Sequence, residues 1–285
     1  MPSFTPKDLS VAEFQFLMQG AIAPRPIAFA STVNAKGEVN LSPFSYFNCF
    51  SSNPPILVFS PARRVRDNTT KHTLENVREV PEVVINVVSH AIVEQTSLAS
   101  TEYGNGVNEF VKAGLTELKS ELIKPPRVAE SPVQFECKVN EIKALGDGPG
   151  AGNMIICEVL KMHINKAILE DSGKFIDPNK IDLVSRLGGA WYGRASGNAL
   201  FTIPKPLATK GIGFDALPTS IVQSPILTGN QIARLANIEN IPATEEMLMQ
   251  TLDTVNDLHQ KLAEVIMKDD IHSAWQLILH HKKLL

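Results

Sequence analysis

The sequence has little cysteine and no metal-binding spacing. Its 285 residues include three cysteines, in an odd count without a CxxC pair, at Cys49, Cys137 and Cys157. Each lies among apolar or strand-like neighbours, which predicts three buried, reduced thiols and excludes a disulfide-stapled scaffold. A catalytic thiol stays open as an alternative. The seven histidines form neither HxxxH nor HExxH, so we expect no metal site, and the adjacent His280 and His281 favour solvated side chains.

An excess of basic charge and long apolar runs are also missing. The formal net charge is −3 at pH 7, so no overall field attracts the chain to nucleic acid or to an anionic membrane. No apolar run approaches the roughly 18 residues of a membrane span. The opening MPSFTPKDLS lacks the charged and then apolar segments of a signal peptide. We therefore expect a cytoplasmic protein with no nucleic-acid and no membrane partner.

Nucleotide-binding fingerprints do not occur in a usable context. Gly211–Ala216 fits G-x-G-x-x-A, but the preceding PKPLATK cannot form a buried strand, and Pro218 lies where the phosphate-facing helix should extend. We interpret the segment as a tight loop whose glycines adopt conformations that other residues avoid. No Walker A sequence occurs, so a Rossmann or P-loop site is disfavoured.

What the sequence does contain is a succession of strand patterns. Apolar or β-branched runs predict strands at Ile27–Val33, Ile56–Ser60, Glu82–Ser89, Phe135–Ala144 and Met154–Ile164. Asn34–Gly37 and the glycine-rich Gly146–Gly152 predict hairpin loops. Gly188–Ser196 predicts a short final barrel segment. Successive strands joined by short turns predict a mainly β chain with a closed antiparallel sheet.

Helical patterns are few up to about Ser196, where the strand patterns end, and frequent in the rest of the chain. We predict an opening helix over Pro6–Gln19, a helix capped by Asp67 or Asn68 that runs from Lys71 to Val80, and a helical stretch over His90–Ala99. These helices are interposed between strands rather than alternating regularly with them. They are therefore expected at the periphery of the sheet.

The sequence changes from strand patterns to helical patterns around Ile203–Pro206. This change predicts a domain over residues 1–205 and a helical extension over 206–285. Within the extension we predict helices at Ile232–Asn237, Thr244–Ile266 and Ile271–His281. Thr244 is a candidate N-cap, and an apolar stripe from Leu248 to Val265 predicts that the middle helix packs on this subunit or on a partner.

Three polar and aromatic segments form a candidate binding surface. Residues 24–32, 40–55 and 63–76 supply short hydroxyls, amides, aromatic rings and cations. FMN needs cations and donors for its phosphate and a flat apolar slot for its ring, and a cation and a hydroxyl at the start of a helix suit a phosphate. Taken singly, each residue is better explained by turns, core packing or an exposed helix position. Many ligand sites share a phosphate-binding patch.

A resemblance narrows these alternatives. The run PRPIAFASTVNAKGEVNLSPFSYFNCFSSNPPILVFS, followed by KHTLENV, EVVINVVS and RLGGAWYGR, resembles the flavin reductase-like family of FMN-binding split-barrel proteins, which includes the flavoredoxins. Together these segments cover Ala21 to Arg194 in the expected order. The resemblance implies a six-stranded antiparallel Greek-key split barrel with peripheral helices, a homodimer, and FMN near the subunit interface.

Site residues follow from the resemblance position by position. It implies that Ser31 and Thr32 meet the flavin or its ribityl chain, and that the ring and chain are lined by Ser45, Tyr46, Phe47 and Asn48. Lys71 and Thr73 would hold the phosphate, with Arg25 or Arg64 as a second cation. The family often has an acidic residue where this chain has His72, which leaves the charge at the phosphate open.

The implied activity is hydride transfer from NADH or NADPH to FMN, with FAD as a further option for the flavin. This chemistry belongs to the cofactor, so we expect no catalytic side chain. The leading alternative is a non-enzymatic FMN electron carrier reduced by a protein partner, and an electron-acceptor protein is a further expected partner. A pyridoxamine phosphate oxidase-like oxidase and a ligand-binding module without redox function also stay open.

Overall fold

The computed structural model describes residues 1–203, 210–246 and 251–285. The chain forms two compact units, Met1–Phe201 and Thr202–Leu285. The predicted domain boundary after residue 205 falls within 204–209, outside the described residues, and stays a prediction.

The first unit is built around a seven-stranded antiparallel sheet, and each strand corresponds to an apolar or alternating run. Its strands are β1 (Ala28–Val33), β2 (Val39–Phe44), β3 (Phe47–Ser52), β4 (Pro55–Phe59), β5 (Glu82–Val87), β8 (Val133–Ala144) and β9 (Asn153–Ile164). They are arranged in the order β2-β1-β5-β8-β9-β4-β3. Two small hairpin sheets complete the strands, with the pairs β6 (Glu117–Leu118) and β7 (Arg127–Val128), and β10 (Leu183–Arg186) and β11 (Tyr192–Ala195).

The sheet must curl into a barrel because its two edge strands are consecutive in the chain. Only Ser45 and Tyr46 separate β2 from β3. Three Cα steps span at most about 11 Å, whereas a flat sheet of this size would be about 29 Å wide. The mainly β fold with a large antiparallel sheet and peripheral helices is thereby confirmed. The sheet has seven strands where the resemblance implied six.

The barrel interior is a continuous apolar core. It is filled from several strands and from the second helix, by residues including Ala28, Phe44, Phe59, Leu74, Ile85, Cys137, Ile155 and Cys157. Burial raises the pKa of both core thiols. Cys49, in contrast, is exposed, so its predicted burial is wrong. It lies on the edge strand β3 beside a register shift between Cys49 and Ser51, and no further strand of the described residues pairs with that edge.

The helices of the first unit surround the barrel as α1 (Val11–Ala21), α2 (His72–Glu79), α3 (Val93–Leu98), α4 (Glu109–Ala113) and α5 (Pro178–Ile181). Helix α1 begins later than the predicted Pro6 because Ser10 and Glu13 form a capping box.

Helix α2 begins one residue after Lys71, and the predicted caps Asp67 and Asn68 are wrong. The carboxylate of Asp67 accepts hydrogen bonds from the backbone N–H and the hydroxyl of Thr69. The side-chain oxygen of Asn68 accepts from Arg63 at 2.7 Å. Both side chains therefore stabilise the preceding loop, and Lys71 takes the N-cap position without a side-chain cap.

The segment Gly188–Ser196 also differs from its prediction. It contributes β11 to a separate two-stranded sheet with β10 rather than a strand to the barrel. A single bridge between Arg25 and Arg186 attaches this hairpin to the segment before β1. Its two neighbouring glycines, Gly188 and Gly189, allow close approach to α1, where a Cβ at Gly188 would lie 3.0 Å from the Gly20 Cα.

The second unit is helical, with α6 (Thr219–Val222), α7 (Gly229–Ala236), α8 (Val255–Met267) and α9 (Ile271–His280). Its own core includes Ile221, Leu235, Leu258, Leu262, Ile266, Trp275 and Ile278.

The start of α8 corrects the predicted middle helix. The helix begins at Val255 because Thr254 and Asp257 form a capping box. Thr244, the predicted N-cap, lies in a non-helical segment, and part of the predicted range (247–250, with Leu248) falls outside the described residues. In the described part of the chain, every helix is too short or too polar to cross a membrane.

Candidate functional site

A cavity of about 200 Å³ opens where β2 ends and the chain turns toward β3. It is lined by Gln15, Gln19, Ser42, Pro43, Phe44, Ser45, Tyr46, Ser60, Ala62, Lys71 and Ser100. This is smaller than the roughly 300–1,000 Å³ of sites that enclose a whole ligand. The cavity therefore suits one part of a larger ligand, which would extend beyond it.

The end of β2 and its continuation supply both aromatic and hydroxyl groups to the cavity wall, because Ser42 to Tyr46 all line the cavity. Phe44 is buried and packs on Phe59, with ring centroids 5.5 Å apart. The Tyr46 hydroxyl accepts a hydrogen bond from Gln19 Nε2 at 3.3 Å. The wall thus combines an apolar surface with several short donors and acceptors.

Ser60 offers an unused hydroxyl at this wall. Its backbone N–H donates to the Tyr46 carbonyl at 2.9 Å. Its Oγ atom is buried and has no hydrogen-bond partner among the described residues. A Cβ at Gly152 would lie 2.7 Å from that atom, so glycine is needed at this position to leave the hydroxyl its space.

A second cavity, of about 20 Å³, adjoins the first and is lined by most of the charged side chains of the site. Ser42, Lys71 and Ser100 line both cavities, and the second also contacts Arg64, His72, Thr73, Glu102 and Glu109. It lies at the first turn of α2, where backbone N–H groups and the helix dipole favour an anion.

Arg64 and Lys71, which line this second cavity, share one carboxylate with the neighbouring Arg66. Glu102 Oε1 lies 2.8 Å from Arg64 Nε and 3.2 Å from Lys71 Nζ, and Oε2 lies 3.0 Å from Arg66 Nη2. Hydrogen bonds from Arg64 and then from Lys71 lower the pKa of Glu102 to about 2. Glu102 is therefore ionised at neutral pH.

A buried hydrogen-bond network fixes the start of α2. Thr73 Oγ1 donates to Asn40 Oδ1 at 2.7 Å, and Asn40 Nδ2 donates to Glu109 Oε1 at 2.9 Å. The other Glu109 oxygen accepts from the Leu41 N–H at 2.9 Å. Burial raises the pKa of Glu109. The network joins α2, β2 and α4, and so sets the position of Lys71 beside the cavities.

Arg25 is placed differently from the other predicted cations. Its guanidinium is buried and donates to the carbonyls of Gln19 and Ile22, and to that of Leu187 at 2.8 Å. Its Nε atom lies 3.4 Å from Ser45 Oγ. Burial lowers its pKa. These contacts join the end of α1 to the loop after β10, and Arg25 lines neither cavity.

Four further predicted residues also lie away from the two cavities. Ser31 and Thr32 are fully buried in β1, where Thr32 Oγ1 accepts from Asn76 at 3.1 Å. Phe47 packs against the barrel core. Asn48 is exposed, and its side chain accepts from the Cys49 N–H. The structure brings together Ser45, Tyr46, Arg64, Lys71, His72 and Thr73 at the cavities.

Sequence reasoning missed several cavity residues that lie outside the three polar segments. They are Gln15 and Gln19 on α1, Ser100 and Glu102 after α3, and Glu109 on α4. Each lies in an ordinary amphipathic or polar stretch, and no local pattern distinguishes it from a solvated residue.

The comparison with known families decides the relationship. The flavin reductase like domain matches residues 20–177, more than half of the chain. The protein belongs to the flavin reductase-like family. This confirms the resemblance, and the match includes the main sheet and most of both cavities. Gln15 and Gln19 on α1 precede the matched range, and the second unit follows it.

Relatives of this flavin reductase-like protein align with it over most of their own length. A protein from Aquifex aeolicus is 37% identical, over 64% of this chain and 89% of the relative. The crystal structure of nitrilotriacetate monooxygenase component B from Bacillus cereus is similar with a TM-score of 0.66 and 29% identity, over 71% and 98% of the two chains. That of 2-nitrobenzoate 2-nitroreductase from Pseudomonas fluorescens has a TM-score of 0.63 and 25% identity, over 74% and 100%.

Proposed function

We propose that this protein is an NAD(P)H-dependent flavin reductase that binds FMN at the two adjoining cavities. The observation that supports this proposal most strongly is that the two cavities adjoin. A wall of aromatic and hydroxyl side chains meets a cluster of cations at the first turn of α2, within a chain of the flavin reductase-like family.

The donor set fits a phosphorylated flavin. The hydroxyls of Ser42, Ser45 and Ser100, and the unpartnered hydroxyl of Ser60, suit the polar chain and the ring edge. Phe44 and Tyr46 supply an apolar surface for the ring. Lys71 and Arg64 would hold the phosphate by charge-assisted hydrogen bonds, assisted by the helix dipole of α2.

The flavin, when bound, supplies the atom that accepts a hydride from the nicotinamide. The residues of this chain bind, orient and partly exclude water: the barrel holds Phe44 and Tyr46 rigidly, and Gln15 and Gln19 cover one side from α1. The proposal assigns no acid, base or nucleophile to a side chain.

We also propose that the protein is a homodimer. The support is an outward strip of apolar side chains on β9, formed by Leu160, Met162 and Ile164, which are 45%, 42% and 37% exposed. Such a strip is stabilised when a second copy covers it. Light scattering is expected to give twice the 31.2 kDa chain mass, and a Met162→Lys variant is expected to give monomers.

The decisive test of the redox proposal is an anaerobic titration of the FMN-loaded protein with NADH and, separately, with NADPH. We expect the yellow flavin absorbance to bleach rapidly with one or both nucleotides. Bleaching with dithionite but with neither nucleotide would contradict the reductase and indicate an electron carrier reduced by a partner. A protein that leaves the FMN spectrum and fluorescence unchanged would remove the flavin site altogether.

A Lys71→Ala variant tests the placement of the phosphate. Since one charge-assisted hydrogen bond contributes about 1.5–3 kcal/mol, we expect FMN affinity to fall at least about tenfold. Riboflavin, which lacks the phosphate, should bind the variant and the unchanged protein equally. The matched control is Lys36→Ala in the exposed hairpin loop. Equal losses for FMN and riboflavin would contradict a phosphate contact at Lys71.

A further inference from the structure

Glu102 lies at the centre of the cation cluster that the phosphate would need. It follows α3, its side chain is 40% exposed, and its two oxygens contact Arg64, Arg66 and Lys71. A carboxylate and a phosphate accept the same charge-assisted hydrogen bonds. The carboxylate of Glu102 therefore uses the donors that a phosphate would use.

The space at this point does not admit both anions. The second cavity holds about 20 Å³, room for about one water molecule and too little for a phosphate group. An anion that binds within this second cavity, against both Lys71 and Arg64, must take the place of the Glu102 carboxylate.

The cations would stay in position when Glu102 leaves. Arg64 also donates to Thr69 Oγ1 at 2.9 Å and to the Thr70 carbonyl. Lys71 is the N-cap of α2, and the Thr73–Asn40–Glu109 network fixes that helix. Glu102, in contrast, lies in a loop and makes its side-chain contacts to these cations alone among the described residues. It is the group that can move.

Glu102 also sets the net charge of the cluster. Arg66 has a second carboxylate partner, Asp67, at 3.1 Å. Three cations and two carboxylates leave one net positive charge, which becomes two when Glu102 is neutral. A phosphate therefore meets a weaker positive field than the count of basic residues suggests.

We propose that Glu102 is an affinity-determining residue that competes with the flavin phosphate for Arg64 and Lys71, so that FMN binds loosely and exchanges as a substrate. This inference rests on the proposed function. It assigns to the phosphate subsite a built-in competitor that acts on FMN and leaves a flavin without a phosphate unaffected.

The test compares FMN with riboflavin in Glu102→Gln, by flavin fluorescence titration and by stopped-flow dissociation. We expect FMN to bind about tenfold more tightly and to dissociate more slowly, with riboflavin affinity unchanged. The matched control is Glu94→Gln, which removes the same charge from an exposed position on α3; neither flavin should respond to it. Unchanged FMN affinity in Glu102→Gln, or an equal gain for both flavins, would overturn the inference.

A second variant keeps the test informative if Glu102→Gln folds poorly. Glu102→Asp retains the charge on a shorter side chain that withdraws from Arg64, and it should tighten FMN binding by a smaller factor. A variant that weakens FMN binding would contradict competition. Should the unchanged protein bind neither FMN nor riboflavin, the proposed function fails and this inference with it. Binding of both flavins with no response to either Glu102 variant removes the inference alone.

Discussion

At the scale of single residues, Arg25 serves the fold rather than offering a free charge. Its guanidinium satisfies carbonyls at the end of α1 and the Leu187 carbonyl after β10, and it approaches Ser45 on the cavity wall. We expect a cation so engaged to position Ser45 and the residues of α1. The same residue type at Arg64 lies at the second cavity.

Replacing Arg25 by alanine should therefore destabilise the protein and lower its affinity for FMN and for riboflavin to the same extent. Three partly buried carbonyls would lose their donor, at about 1 kcal/mol each, so we expect the free energy of unfolding to fall by about 3 kcal/mol in a urea titration. The control Arg78→Ala, exposed on α2, should change it by less than about 0.5 kcal/mol. Weaker FMN binding with riboflavin binding intact would instead indicate a direct phosphate contact.

The lowered pKa of Glu102 predicts that the stability of the folded protein depends on pH in the acid range. Its pKa is lowered from 4.5 to about 2, first by the hydrogen bond from Arg64 and then by that from Lys71. A depressed carboxyl pKa means that the ion pairs stabilise the folded state above the ordinary pKa and are lost as pH falls through the window to about 2. The exposure of the side chain keeps this contribution small.

Thermal unfolding of the unchanged protein and of Glu102→Gln measures this contribution directly. At neutral pH the unchanged protein should be the more stable of the two. The difference should shrink as pH falls from 4.5 toward 2, while the other carboxyl groups affect both proteins alike. A difference that stays constant across that window would show that Glu102 makes no ion pairs with its neighbouring cations.

At the scale of elements, capping decides where helices begin more than the length of an apolar stripe does. The stripe from Leu248 to Val265 predicted one long helix from Thr244, but Thr254 and Asp257 bond each other's backbone N–H groups and start α8 at Val255. The Glu245 N–H instead donates to Gln276 on α9 at 3.0 Å. A side chain on another element thus replaces the helical partner.

This assignment predicts different outcomes for two threonine substitutions. Thr254→Ala removes an N-cap and should destabilise the second unit by about 1 kcal/mol, whereas Thr244→Ala should leave it unchanged. Trp275, buried in that unit, provides the fluorescence signal for urea unfolding in a Trp191→Phe background. A larger effect at Thr244 than at Thr254 would contradict the observed start of α8.

At the scale of the whole molecule, two hydrophobic cores form within one chain. The barrel core is built from residues 28–157 and the helical core from 217–278. Both cavities are lined entirely by residues of the first unit. A unit with its own core can fold by itself.

We therefore expect a chain ending at residue 203 to unfold cooperatively and to bind FMN as tightly as the full chain. Calorimetry and fluorescence titration test both expectations, with the full chain measured in parallel. Loss of FMN binding in a cooperatively folded truncated protein would assign a role in the site to the second unit.

Local patterns in the sequence were sufficient for the fold class. Alternating or wholly apolar runs and glycine-containing turns predicted the long strands β8 and β9 and the hairpin after β1, because strand periodicity and turn chemistry act over a few residues. The exposure of Cys49 was not predictable in this way, since it depends on β3 being an edge strand.

Tertiary structure alone decided which side chains meet at the site. Barrel closure brings Gln15, Ser42, Ser60, Lys71 and Ser100 to one cavity although they are far apart in sequence. It also buries Ser31 and Thr32 and brings Arg25 into hydrogen-bond contact with backbone carbonyls. It places the Glu102 carboxylate in an ion pair with Lys71. The physical reason is range: propensity and periodicity are set by neighbouring residues, whereas a binding site depends on contacts that form only when distant strands pair and the sheet closes.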